Sequence, residues 1–284
     1  MQSLVVRAVL SLCKMMPIDV ASSIGGFIGR NLLIFTGWTK IAKKNLRLVY
    51  PDISNKEVNV IIKKMWNNIG RVAGEYVHLE SIVDDCGIGD ESKRINVKGV
   101  ENVKDLMGTG KSIFFLGAHM SNWEVTRVFE RLFPEEKLGC VYRKPNNPYV
   151  RNILNKMRKD NEYILYSNRA DGMKAMTRDI KRGINVGLLV DQWLSSGAKT
   201  NFLGRETKAP GMYTKFAKKY GSPLVPFEFR RLDGKCKFEL VFGKEIKVSE
   251  KDSDEVIVQR VSDELTQYIK ANPESWLWIH NRFK

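Results

Sequence analysis

The order of apolar runs predicts an α/β protein: a mixed, largely parallel central sheet flanked by helices, with a helical N-terminal portion ahead of it. Three observations carry this. From about residue 95 short apolar runs of strand length alternate with amphipathic segments of helix length, the pattern of strands joined by helical crossovers. Residues 1 to about 90 read as helical instead. No stretch rich in Pro, Gly or Ser interrupts the 284 residues, so 1–90 and 91–284 read as two portions of one integrated unit.

The elements follow in order. "SNKEVNVIIKKMWNNIGRVAGEYVHLESI" opens with Ser54 and Glu57 as a capping box and places Val58, Ile61, Ile62 and Met65 on one face, which predicts an amphipathic helix. His78, near its far end, reads as a partly buried structural histidine. "SIFFLG" is a buried strand, and Gly117 and Ala118 form a small-residue turn at its end. "NPYVRNILNKMRKD" aligns Val150, Ile153, Leu154 and Met157 on one helical face, and "DGMKAMTRDIKRG" is a helix ending at Gly183. "INVGLLVD" is a second buried strand. "PGMYTKFAKKYG" is a helix with Pro210 early and Gly221 after it, and "SPLVPFEFR" and "CKFELVFG" are two further strands. A helix over 252–271 carries Val258, Val261, Leu265 and Tyr268 along one side.

Composition narrows the classes of function. Apolar residues make up 43% of the chain and charged ones 28%, which is globular, with no low-complexity bias and no repeat at solenoid periods. Cys13, Cys86, Cys140 and Cys236 are widely spaced and form no CxxC pair, so neither a zinc site nor a disulfide framework is indicated and a reducing compartment is the simplest inference. The net charge of +15 favours an acidic partner: nucleic acid, an anionic membrane, a phosphorylated substrate or an acidic protein. No nucleic-acid-binding module is recognisable.

The N-terminal region "LVVRAVLSLCKMMPIDVASSIGGFIGRNLLIF" is apolar, but Arg7, Lys14, Asp19 and Arg30 break it before an uncharged run reaches roughly 18 residues. It also lacks the features of a secretory signal. Amphipathic helices followed by Lys40, Lys43, Lys44 and Arg47 suit a membrane-associating, monotopic segment on an anionic leaflet, or a cover for the main domain.

Two stretches invite a chemical reading. "GTGKS" at 108–112 mimics a phosphate loop, but Asp105 stands where that motif needs glycine and the stretch precedes a strand, so it reads as a turn. "LGAHMSNWEV" is different, because His119 emerges at a strand end, where α/β proteins place ligands. Ser121 and Glu124 satisfy a capping box for the helix that follows, with Val125, Val128, Phe129 and Leu132 as its apolar face. A helix start disfavours the imidazolium and keeps the ring neutral as a base, while Glu124 on the first turn could fix its tautomer.

The same stretch matches the HxxxxD/E signature of glycerolipid-type acyltransferases. In its immediate form, "LGAHMSNWE", it resembles the late-acting lipid A acyltransferases, the lauroyl/myristoyl family of Gram-negative bacteria. The similarity covers nearly the whole chain: "NLRLVYPDIS", "MWNNIGRVAGEYVHL", "VYRKPNNPYV", "GLLVDQW", "NFLGRETKAPGMYTKFAKKYGSPLVPFEFRR" and the ending "WLWIHNRFK".

This resemblance implies a glycerolipid-acyltransferase-like fold and an enzyme that moves a fatty acyl chain from acyl carrier protein to a hydroxyl of a phosphorylated lipid A precursor. It makes His119 the general base and Glu124 the group that orients and charge-balances it. It implies no resident cofactor and no metal, with acyl carrier protein, the phosphorylated glycolipid and an anionic membrane surface as partners and no nucleic acid. It places the protein on the cytoplasmic face of the bacterial inner membrane.

Arg143 matches the position suited to the oxyanion, and Asp191 and Gln192, at the end of "GLLVD", are expected at the sheet edge that carries His119, in substrate positioning or support. Arg205, Lys208 and Asn122 are further candidates for contact with the substrate, the first two for its phosphates. Trp123, Phe114, Phe115 and Phe202 are core residues or an acyl-tunnel wall, and His280 reads as structural. Two other readings stay open: a glycerolipid or lysophospholipid acyltransferase of the same superfamily, and a non-catalytic basic protein binding membrane or nucleic acid.

Overall fold

A computed structural model describes residues 11–142 and 164–283. Arg143 and the helix expected over 147–160 lie outside the described residues.

The N-terminal portion is helical: α1 (Ile18–Leu32), α2 (Trp38–Val49), α3 (Asn55–Glu75) and α4 (Leu79–Asp84). The expected capping box starts α3: Ser54 Oγ accepts the Glu57 N–H at 3.2 Å, and the Ser54 N–H donates to Glu57 Oε2 at 2.9 Å. Its inward face buries Val58, Ile62, Met65 and Val72. His78 Nε2 lies 2.9 Å from the Cys13 carbonyl oxygen.

Helices α1 and α3 meet backbone to backbone. A Cβ added at Gly70 would stand 2.0 Å from the Gly25 carbonyl oxygen, one at Gly29 2.1 Å from that of Trp66, and one at Gly74 2.3 Å from that of Ala21. Glycines four apart on each helix form the seam, and any side chain there must push the helices apart. Gly70→Ala is therefore expected to destabilise the fold by at least about 1–3 kcal/mol, the range for overpacking, read as a lower urea midpoint with an unchanged slope; an unaltered midpoint would show that the seam yields freely.

Ile18–Phe35 is long and apolar enough by length and composition to cross a membrane. One side packs on α3, and the other leaves Val20, Ile24, Phe27, Ile28, Leu32 and Phe35 exposed.

Among the described residues eight strands form the main sheet: β1 (Cys86–Ile88), β2 (Ile95–Lys98), β3 (Phe114–Gly117), β4 (Leu138–Tyr142), β5 (Ile164–Ser167), β6 (Asn185–Leu189), β9 (Leu224–Arg231) and β10 (Phe238–Phe242). They run in the order β1-β2-β10-β9-β3-β6-β4-β5. Only the β9–β10 pair is antiparallel, so the sheet is mixed and largely parallel, as expected. Strand β1 begins before residue 91, so the sheet takes its edge strand from the portion read as helical. A separate hairpin, β7 (Ala198–Phe202) and β8 (Arg205–Ala209), was not anticipated, nor were β1, β2, β4 and β5. At three to five residues each, these strands are too short to carry much period-2 signal.

Among the described residues the further helices are α5 (Glu101–Lys104), α6 (Val128–Leu132), α7 (Ala170–Ile180), α8 (Met212–Tyr220) and α9 (Asp254–Ala271). Gly221 closes α8 in the left-handed region at φ 61°, which a residue without Cβ reaches at no steric cost. Both faces of the sheet are covered. Phe114 and Leu116 point into one core with residues of α2, α3, α7, α8 and α9; Phe115 points into the other with residues of α4, α5 and α6. A strand buried on both faces has no polar side to show, which is why "SIFFLG" is continuously apolar.

Candidate active site

Strands β3 and β6 are parallel neighbours, Leu116 opposite Leu188 and Gly117 opposite Leu189. Their carboxyl ends bring His119 and Asp191 together at one edge of the sheet. Gly117 is required at this edge because a Cβ there would stand 2.6 Å from the Phe227 ring.

His119 Nδ1 lies 2.7 Å from Asp191 Oδ1, and the His119 backbone N–H donates to Asp191 Oδ2 at 3.1 Å. The Trp276 indole N–H donates to the same Oδ2 at 2.7 Å. The Asp191 side chain is fully buried, and these three donors compensate its charge. Burial raises the Asp191 pKa, but the His119 charge and the bonds from His119 and Trp276 outweigh it and hold the carboxyl well below its usual range. An ionised carboxylate only accepts, so Nδ1 carries the proton and the lone pair of the neutral ring sits on Nε2.

Burial disfavours the His119 imidazolium, yet Asp191, by charge and hydrogen bond, and then the charge of Glu124 raise its pKa above the ordinary value. The expectation that the helix start keeps the ring neutral is thus reversed. Two carboxylates outweigh a weak dipole, because the segment after His119 is only a 3-10 turn (Trp123–Arg127) followed by the five-residue α6.

Nε2 faces two further side chains. The amide nitrogen of Gln192 lies 3.4 Å from it and 3.2 Å from Nε2 of His280. The His119 and His280 ring centroids are 5.6 Å apart, and the Trp123 ring stands edge-on to His119 at 5.5 Å. Burial, and then repulsion from a charged His119, depress the His280 pKa. One proton on this pair therefore goes to His119.

The loop is held from below and above. Ser121 does not cap the following turn, contrary to the capping-box expectation. It is fully buried at φ 49°, its N–H donates to the Ser275 carbonyl at 2.9 Å, and its Oγ accepts the Arg231 N–H at 3.1 Å. Asn122 is the cap: its Oδ1 accepts the Glu124 N–H at 3.1 Å, and its amide donates to Glu75 Oε2 at 2.8 Å. Asn122 is fully buried, and these bonds hold the loop.

Glu75 also accepts from Ser22 Oγ at 2.6 Å and from both terminal nitrogens of Arg231 at 2.5 and 2.9 Å; Arg231 Nε reaches Asn68 Oδ1, and Asn68 donates to the Ser121 carbonyl. Above, Met120 and Trp276 form an antiparallel bridge, and the Leu277 N–H donates to the His119 carbonyl at 3.1 Å.

The structure thus brings His119, Glu124, Asp191, Gln192 and His280 together, with Asp191 rather than Glu124 bonded to the imidazole Nδ1. Arg205 is placed elsewhere: its Nε donates to the Leu48 carbonyl at 2.5 Å, tying the β7–β8 hairpin to the end of α2. Lys208 Nζ reaches the Ser195 carbonyl at 3.1 Å. Phe114, Phe115 and Phe202 are core, the last packed on Trp276 and under Arg282; of the four aromatics, Trp123 touches the site.

Sequence reasoning missed Trp276, Glu75 and Arg231 altogether and gave His280 no part in the site. Glu75 left a signal: it falls on the stripe of Val58, Ile62, Met65 and Val72, where a carboxylate needs a buried partner.

A family model, bacterial lipid A biosynthesis acyltransferase, matches residues 2–284. Over 283 residues the chain is 26% identical to an Escherichia coli (strain K12) protein named lipid A biosynthesis lauroyltransferase, covering 97% of this chain and 89% of that one. With the match extending through the sheet, the His119 loop and the Trp276 segment, the chain belongs to the bacterial lipid A biosynthesis acyltransferase family.

Proposed function

We propose that this protein transfers a fatty acyl chain from acyl carrier protein to a hydroxyl of a phosphorylated lipid A precursor, by direct attack on the thioester. The observation that carries the mechanism is His119, bonded through Nδ1 to buried Asp191 at 2.7 Å, which leaves Nε2 as the accepting nitrogen of the ring. Nε2 takes the proton of the acceptor hydroxyl as the oxygen adds to the thioester carbonyl. The tetrahedral intermediate then collapses, the C–S bond breaks, and the imidazolium returns the proton to the departing thiolate. Asp191 fixes the tautomer and stabilises the imidazolium, and Glu124 adds a second negative charge. Arg143 remains the candidate for the oxyanion on the resemblance alone.

The exposed apolar side of α1, continued by Phe35 and Trp38 and followed by Lys40, Lys43, Lys44 and Arg47, supports shallow attachment to an anionic leaflet on the cytoplasmic side of the inner membrane. The excess of 47 basic over 32 acidic residues suits an acidic carrier protein and a phosphorylated acceptor. The protein is expected to sediment with anionic vesicles and to be released as salt rises; full solubility at low salt would remove the membrane assignment.

Mass spectrometry of lipid A from cells with and without the protein tests the reaction. One additional acyl chain is expected with the wild type and none with His119→Ala. Identical acylation in all three would end the proposal.

A further inference from the structure

A second polar site opens beside the first. Strand β9 runs parallel to β3, so the β9–β10 turn leaves the sheet at the edge that carries His119. Asp233 and Gly234 are both left-handed, φ 49° and 61°, at the centre of a tight turn in which the Lys235 N–H donates to the Leu232 carbonyl at 3.0 Å. This turn, the start of β2 and the first turns of α1 wall a cleft of about 700 Å³. Arg231, which clamps Glu75 under the His119 loop, also donates to the Lys235 carbonyl at 2.9 Å, so cleft and site share a wall.

Five cations line the cleft against three carboxylates. Arg94 is engaged by Asp19 at 2.9 Å and Lys93 by Asp85 at 3.3 Å. Among the described residues neither Lys235 nor Lys237 stands in an ion pair, and Arg71 spends its bonds on neutral partners, Asn67 and Ser22. Burial, and then the Arg231 cation, depress the Arg71 pKa. An arriving anion would relieve that cost.

The position of the cleft says what sort of anion fits. Asp19 and Ser23 belong to α1, and Val20 and Phe27, 45% and 61% exposed, flank Ser23 on that helix. The polar cleft therefore runs directly into the apolar strip, and the pair would receive the charged head and the chains of one amphiphile.

We propose that this cleft holds a phosphate of the lipid acceptor while its hydroxyl is presented to His119, with Arg71, Lys235 and Lys237 as the cationic contacts. Phosphate suits converging cations because it offers several charged acceptor oxygens. The inference rests on the acyltransfer reading above.

The test is steady-state kinetics of the full chain in detergent micelles, with the phosphorylated acceptor and its dephosphorylated counterpart. Wild type is compared with the double variant Lys235→Ala and Lys237→Ala, checked for folding by thermal melting. For the phosphorylated acceptor KM is expected to rise about tenfold with kcat within about twofold. KM for the dephosphorylated acceptor stays in place, and Lys235→Arg with Lys237→Arg restores the difference.

Equal changes for both acceptors, or none, overturn the assignment. So does a variant that keeps the KM difference in micelles but loses salt-sensitive binding to phosphatidylglycerol vesicles, because the cleft then serves a bilayer lipid. If the wild type acylates no lipid A precursor, the acyltransfer reading fails, and the cleft is judged by acceptor binding alone. A Kd for the phosphorylated acceptor raised about tenfold by the double variant still supports it; an equal Kd overturns it.

Discussion

Asp191→Asn is expected to lower kcat/KM for acyl transfer by about 10²–10⁴-fold, the range for a positioned base that has lost its partner. The amide is nearly the same size, so the Trp276 indole can still donate to its oxygen, and the fold should survive. What is lost is the negative charge and the certainty that Nδ1 carries the proton. The pH profile separates this from general damage. The base must be neutral to act, so wild-type kcat/KM climbs as pH rises through the His119 pKa, which Asp191 and Glu124 hold above the ordinary 6.5.

Removing Asp191 leaves burial as the leading influence, and burial lowers a histidine pKa. The acidic limb of the variant should therefore move to lower pH even as the plateau falls. A limb left in place, with the plateau lost, would mean that Asp191 supports the fold without tuning the base. Stability follows the same sign: a raised histidine stabilises the folded state below the unfolded pKa, and that contribution fades as pH rises through the folded one. Glu124→Gln, which removes only a charge, should move the limb the same way by less.

Glu75→Ala carries the largest expected cost in stability, about 3–5 kcal/mol, because it leaves the guanidinium of Arg231 uncompensated. The Arg231 side chain is 7% exposed and that of Glu75 fully buried, so water cannot replace the lost partner. Glu75→Gln keeps bonding capacity toward Ser22 and Asn122 and should fall between wild type and alanine. Urea unfolding measures this, and a loss under about 1 kcal/mol, the scale of a surface pair, would contradict it. Both variants should also depress activity, since Glu75 grips Asn122 and Arg231 grips Ser121, the two residues that follow Met120 in the His119 loop.

Much of the scaffold is written in local pattern. The α3 capping box, the glycine that ends α8, the apolar runs of β3 and β6 and the stripe of α9 each depend on residues a few positions apart, and propensity and burial agree there. So does the emergence of His119 at a strand end. The weak strands β1, β2, β4 and β5 borrow their stability from neighbours in the sheet, and nothing local announces them.

The choice between Glu124 and Asp191 as the hydrogen-bonding partner of the imidazole was of another kind. Sequence spacing favours Glu124, five residues from His119, but that inference assumes an α-helical first turn with Ser121 as its cap. The chain instead turns Ser121 inward and winds 123–127 as a 3-10 turn. Asp191 is 72 residues away, and only the β3–β6 register brings it to the His119 ring. Trp276 arrives from the C-terminus by a single β-bridge. By itself the sequence determined strands β3, β6, β9 and β10, helices α3, α7, α8 and α9 and the histidine at the sheet edge, because each is settled by neighbours along the chain. The tertiary structure alone decided which carboxylate holds that histidine, because strand pairing, and not spacing, sets the distance between side chains that meet across a sheet.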